Sequence, residues 1–199
     1  MPITRRLNLL VLAAAILAGC ATPSTNRATV GAYRDSIELN GRLAVNYQKD
    51  GKTESLNGNF NWAQRADHVD VELVSPLGQT VATIAVAPGM ATLTQAGRAP
   101  LSAPSIDGLT QQALGWPLPV SGLRDWLQGY AVDAQGQRFG ASPANNTVVT
   151  RDGWRLRFVD WHDAAAAQPV PRIIHAERAA AGDIQDLSIR IVVNAAGQG

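Results

Sequence analysis

Cysteine is the most reactive side chain in the sequence, and it occurs once, as Cys20. It follows Met1-Pro2-Ile3-Thr4-Arg5-Arg6, an apolar run from Leu9 to Ala18, and Gly19. A basic start, a short apolar core and small residues before the break are the three parts of a secretory signal. The run is too short for a membrane-spanning helix, which needs roughly 20 residues. With no second cysteine the chain has no internal disulfide to form, even in an oxidising compartment. Its stability has to come from an apolar core.

The remaining reactive side chains form no recognisable constellation. His68, His162 and His175 lie on separate segments without metal-ligand spacing, so no metal site is expected. A Gly-x-Ser-x-Gly elbow is absent. A Ser-His-Asp set is recognised by geometry and stays open at this point. Glu54, Asp70, Glu72 and Asp160 are the carboxylates best placed for acid–base work, yet alternation puts carboxylates of this kind on solvated strand faces. Neither a P-loop nor a Rossmann fingerprint occurs. Removing Arg5 and Arg6 with the signal leaves 15 basic against 16 acidic residues. A near-neutral chain without basic runs gives no electrostatic case for nucleic-acid binding.

Leu17-Ala18-Gly19-Cys20 resembles the lipobox of bacterial lipoproteins. That signal implies a diacylglycerol on the Cys20 sulfur, cleavage before Cys20 and acylation of the new amine. Several acyl chains anchor firmly where one is marginal. Position 21 is Ala rather than Asp, which by analogy directs the protein to the outer membrane.

The elements that follow read as strands. From Tyr33 onward the apolar period is mostly two. Ile37, Leu39, Gly41, Leu43, Val45 and Tyr47 share one face, and Glu38, Asn40, Arg42 and Asn46 the other. Asp50-Gly51 supplies a hairpin turn. Leu56, Gly58, Phe60 and Trp62 share a face of the second strand, and Val69, Val71 and Leu73 of the third. Ser75-Pro76-Leu77-Gly78 turns into a strand over 80–87, and another spans 90–95. Residues 105–115 and the Leu123, Trp126, Leu127 stripe predict two short helices, the second ending at Gly129. Residues 131–146 read as loop. Strands return over 147–151, 154–161, 172–178 and 187–193.

The expected fold is therefore mainly β with a small helical insertion. One curved antiparallel sheet forms an unclosed β-barrel, with an apolar cavity covered by short helices. The expected organisation is a removed signal over 1–19, lipidated Cys20 with a flexible tether to 32, one domain over 33–195 and a disordered tail over 196–199.

The lipobox, Gly41-Arg42-Leu43-Ala44-Val45, Phe60-Asn61-Trp62-Ala63-Gln64 and Leu73-Val74-Ser75-Pro76-Leu77-Gly78-Gln79-Thr80 together resemble the LolB family of outer-membrane lipoprotein receptors. So do Leu118-Pro119, Leu123-Arg124-Asp125-Trp126-Leu127-Gln128-Gly129, Trp154, Trp161 and Pro171-Arg172, in the same order. The chain departs at its end, where Asn194-Ala195-Ala196-Gly197 stands in place of a family Trp.

The resemblance implies a receptor that takes acylated lipoproteins from a LolA-type periplasmic carrier. It would release them into the inner leaflet of the outer membrane without nucleotide. It also implies an unclosed barrel around an acyl-chain cavity. Partners would be the carrier, the acylated cargo and the membrane. The protein would be a monomer without catalysis, metal, nucleic acid or any cofactor beyond the lipid on Cys20.

Alternation nominates Leu43, Val45, Phe60, Trp62, Val71, Leu73, Ile84, Trp126, Phe158 and Ile189 as cavity lining. The tryptophans serve equally well as core packing. Leu77, between Pro76 and Gly78, is apolar where turns favour polar residues. It either projects or folds onto the sheet edge, and the resemblance implies projection toward a membrane. The rival readings are an assembly lipoprotein binding other envelope proteins and a small periplasmic hydrolase.

Overall fold

The computed structural model describes residues 25–114, 118–179 and 184–195. The signal, Cys20, Trp116, the 181–183 turn and the 196–199 tail lie outside the described residues.

The alternating segments become a six-stranded meander: β1 (Ser36–Lys49), β2 (Lys52–Arg65), β3 (His68–Val74), β4 (Thr80–Ala87), β5 (Met90–Gln95) and β6 (Leu101–Ala103). Two helices follow, α1 (Ile106–Leu114) and α2 (Val120–Trp126). Then come β7 (Tyr130–Val132), β8 (Arg138–Gly140), β9 (Thr147–Val149), β10 (Arg155–Trp161), β11 (Pro171–Arg178) and β12 (Ile184–Val193). Ten strands form one antiparallel sheet in the order β6-β5-β4-β3-β2-β1-β12-β11-β10-β9. The sheet does not close, and β6 and β9 are its edges.

Two findings differ from the sequence reading. Residues 131–146 are not all loop: β7 and β8 pair as a separate ribbon, Tyr130 opposite Gly140 and Val132 opposite Arg138. The edge strand β6 was also not foreseen; it pairs Ala103 with Ala91 and Leu101 with Leu93. Strands of three residues are too short to show a repeat of period two.

The centre of the sheet joins the two ends of the chain. Gly41 pairs with Phe60 on β2 and with Val193 on β12. A Cβ on Gly41 would lie 2.1 Å from the Val192 carbonyl oxygen and 2.9 Å from the Phe60 ring. Only glycine lets Phe60 pack across the backbone at this crossing. A bulge between Asn46 and Gln48 and a second between Phe158 and Asp160 add bend to the sheet.

The apolar face is continuous across both halves. Val45, Phe60, Val69, Phe158, Ile174 and Ile191 are all buried within it. Ser105 Oγ accepts from the Gly108 amide and starts α1, with Asp107 beside the positive end of the helix. Ile106 and Leu109 of α1 are buried in the core beside Ala91, Leu93 and Ala103. Asp107 accepts from Ser121 Oγ at 2.7 Å, which ties α1 to α2. Trp126 of α2 meets Trp154 at 5.8 Å between ring centroids.

Residues 26–34, assigned largely to the tether by composition, run along the domain. Asn26 Nδ2 donates to the Ala164 and Ala166 carbonyls, and the Val30 amide donates to Ala141. Tyr130 Oη donates to Gly31 at 2.5 Å, and the Tyr33 ring packs edge-on to Tyr130. Gly129, at φ +81°, leaves space that Val30 occupies; a Cβ there would sit 2.5 Å from the Val30 side chain.

Candidate functional site

The turn between β3 and β4 is held by its own backbone. The Gly78 amide donates to Ser75 O at 2.9 Å, and the Ser75 amide to Gln79 O at 2.8 Å. Ser75 Oγ accepts from the Gln79 amide, and Gly78 takes φ +83°, which suits glycine. Below the turn, Glu72 accepts from Thr80 Oγ1 and from Asn61 Nδ2. These two bonds hold its carboxyl below the usual carboxylate range. The result is a stiff base under Leu77, whose side chain is 88% exposed. Of the two orientations open to Leu77 in the sequence, the structure takes the projecting one.

A recess of about 1050 Å³ opens where β1 begins and β12 finishes, and its lining reaches Glu72 beneath the turn. Ile37, Leu39, Trp62, Val71 and Ile84 line it from the inner face, with Leu127 after α2. Glu38, Asn40, Asn61, Asp70, Glu72 and Thr83 contribute from the outer face, so the recess wraps the sheet there rather than forming a closed chamber.

Of the residues nominated by alternation, Trp62, Val71 and Ile84 lie on this recess. Leu43 and Leu73 are half-buried against the core. Val45, Phe60, Trp126, Phe158 and Ile189 are buried within it.

Sequence reasoning passed over Gln64. It is fully buried two residues beyond Trp62 on the same face of β2, and its Nε2 donates to Tyr33 Oη at 3.0 Å. Gln64 Oε1 and Trp62 Nε1 have no hydrogen-bond partner among the described residues. A polar residue in phase with Phe60 and Trp62 was the available signal. Nearby, the Arg138 guanidinium lies over the Tyr33 and Tyr130 rings, 5.0 and 4.4 Å from their centroids. Burial pushes the Asp125 carboxyl up, against the pull of Arg138 and Arg124.

The histidines stay apart. His68 is exposed and bonds Asp67 at 2.7 Å, while His175 lies on β11. Among the described residues no three His, Cys, Asp or Glu side chains gather as metal ligands. Asp160 is occupied by Arg172, which holds its carboxyl below the usual range.

An unclosed antiparallel barrel, apolar within, helix-covered over part of its span and bearing one projecting leucine, defines the class: a β half-barrel suited to apolar cargo. The family model "Outer membrane lipoprotein LolB" matches residues 35–195. The chain is 38% identical over 194 residues to the outer-membrane lipoprotein LolB of Cupriavidus necator, covering 96% of each chain. It is 37% identical over 162 residues to that of Bordetella pertussis, covering 80% of each. A LolA superfamily protein of Nitrosomonas europaea overlays 79% of this chain and 84% of its own, at 8% identity and a TM-score of 0.45. The chain belongs to the LolB family of outer-membrane lipoproteins.

Proposed function

We propose that the protein is the receptor that accepts acylated lipoproteins from a LolA-type carrier and discharges them into the inner leaflet of the outer membrane. The observation that carries this reading is the family match over residues 35–195, the whole of the sheet. An acyl chain left in water costs about 0.8 kcal/mol per CH₂. Cargo therefore has to pass from one apolar surface to the next. An open barrel with a recess at one end offers such a surface without sealing the chains in. Transfer runs downhill in affinity from carrier to receptor to bilayer, with no nucleotide.

Leu77 acts at the last step, entering the membrane and lowering the barrier to discharge. Trp62, Val71 and Ile84 receive the acyl chains first. The lipid on Cys20 holds the domain at the membrane where discharge takes place, and the mass of the mature N-terminal peptide reports it.

The test mixes the non-acylated chain 21–199 with loaded carrier and then with liposomes, in the absence of nucleotide. The cargo is expected to move to the receptor and onward into liposomes. A folded receptor that takes nothing from its cognate carrier defeats the proposal and returns the assembly-lipoprotein reading.

A further inference from the structure

The outer face of the ten-stranded sheet is divided by charge. On β3 and the start of β1 it carries Asp70, Glu72 and Glu38, the last paired with Arg65 of β2 at 2.9 Å. On β10, β11, β12 and the middle of β1 it carries Arg155, Arg157, His175, Arg190 and Arg42. The ladder sets these side by side. Arg157 stands opposite His175, and His175 opposite Arg190. Arg190 stands opposite Ala44, two residues along the same face from Arg42.

Like charges directly opposite one another destabilise a sheet. Burial and the flanking Arg157 and Arg190 hold the His175 imidazole below its usual range, with Glu177 opposing. Glu177 sits opposite Arg155, and Asp186 lies at the bulge of β12. None of the four arginine side chains has a hydrogen bond or ion pair among the described residues. Arg155 and Arg157 on β10, Arg190 on β12 and Arg42 on β1 thus face Glu177 and Asp186 with cationic groups in excess, around a His175 that stays neutral near pH 7, in a chain whose overall charge is close to zero.

We infer that this basic strip rests on the anionic phospholipid headgroups of the membrane that holds the protein. Charge complementarity is one ground, since phosphates supply the anions the strip lacks. Position is the other. Arg42 pairs with Asn59, and Asn59 with Val74, the residue before the Leu77 turn. The strip therefore begins in the row from which the apolar tip springs. Headgroup phosphates would meet the arginines while Leu77 enters the layer beneath. The inference deepens the membrane-discharge reading and rests on it.

The test is partition of the non-acylated chain 21–199 onto vesicles of phosphatidylcholine alone or mixed with phosphatidylglycerol. Binding is expected to be tighter on the mixed vesicles and to lose that advantage at high salt. Arg157→Gln and Arg190→Gln should each weaken binding to mixed vesicles about fivefold, leaving phosphatidylcholine binding unchanged and the melting temperature no lower. Equal wild-type binding to both vesicles overturns the inference, as does indifference to the two substitutions. If the substitutions instead slow acceptance from loaded carrier while vesicle binding holds, the strip serves an acidic protein and the inference falls. Leu77→Glu separates the two readings, because it should lower binding to both vesicles. If it changes nothing while the arginine variants do, the strip stands and the discharge role of Leu77 fails.

Discussion

The two flanks of the sheet share one apolar face but fill it differently. On the β9–β12 side, Leu156, Phe158, Ile174 and Ala176 have no exposed surface at all. Phe158 lies 6.4 Å from Phe139 and 6.3 Å from Trp161, so aromatic rings close the interior. On the β1–β5 side, Leu39, Leu43 and Leu73 are only half-buried, while Trp62, Val71 and Ile84 are buried at the edge of the recess. Close packing makes the first flank rigid. The second keeps apolar surface that is not committed to the core. A receptor that must take chains up and let them go again needs both: a flank that holds its shape, and one with unspent apolar area.

That contrast can be broken by substitution. Phe158→Ala should cost about 3–5 kcal/mol in urea unfolding, whereas Leu39→Ala should cost about 1 kcal/mol, because a half-buried site loses less transfer energy and leaves less cavity. Equal losses would mean the two flanks are packed alike. Gly41→Ala should cost about 1–3 kcal/mol by forcing β1 away from β12 at the seam between the flanks, seen as a lowered denaturant midpoint.

Leu77→Glu should change stability by less than about 0.5 kcal/mol. It should leave uptake from the carrier intact and slow delivery to liposomes. Unchanged delivery would remove Leu77 from the pathway. The smallest effect is in pH. The folded-state pKa of His175 lies below 6.5, so the unfolded chain takes up the proton first. Stability is full above pH 6.5 and falls as pH drops through that value. In a His175→Gln variant this part of the pH profile should be flatter.

Much of the fold was legible because long strands repeat their pattern. β1 runs for fourteen residues with Ile37, Gly41 and Val45 buried and Leu39, Leu43 and Tyr47 half-buried between and beyond them on the same face, so its length makes the alternation visible. Turn chemistry was legible too: Asp50 and Gly51 take φ 52° and 72° at the hairpin tip. What composition cannot carry is contact between distant parts of the chain. The pairing of β1 with β12 depends on residues about 150 positions apart. Leu56 is in phase with Phe60 and opposite the buried Val45, yet it is itself 45% exposed, a difference that alternation alone does not encode. Gln64 is buried because Tyr33, from the strap before β1, covers it. For the same reason alternation identified the inner face correctly but could not divide it into filled core and open recess.

The docked strap has a consequence for posture. Six peptide bonds separate Cys20 from Asn26, where the strap is already fastened to the loop after β10. A leash of that length reaches about 20 Å when fully extended. Leu77 lies at the other strand ends, beyond β3. Under the proposed lipidation of Cys20 and membrane entry of Leu77, the two attachments would sit toward opposite strand ends, a spacing that a bilayer running beside the strands accommodates. So moored at stern and bow, the domain would lie along its membrane instead of standing upright on it.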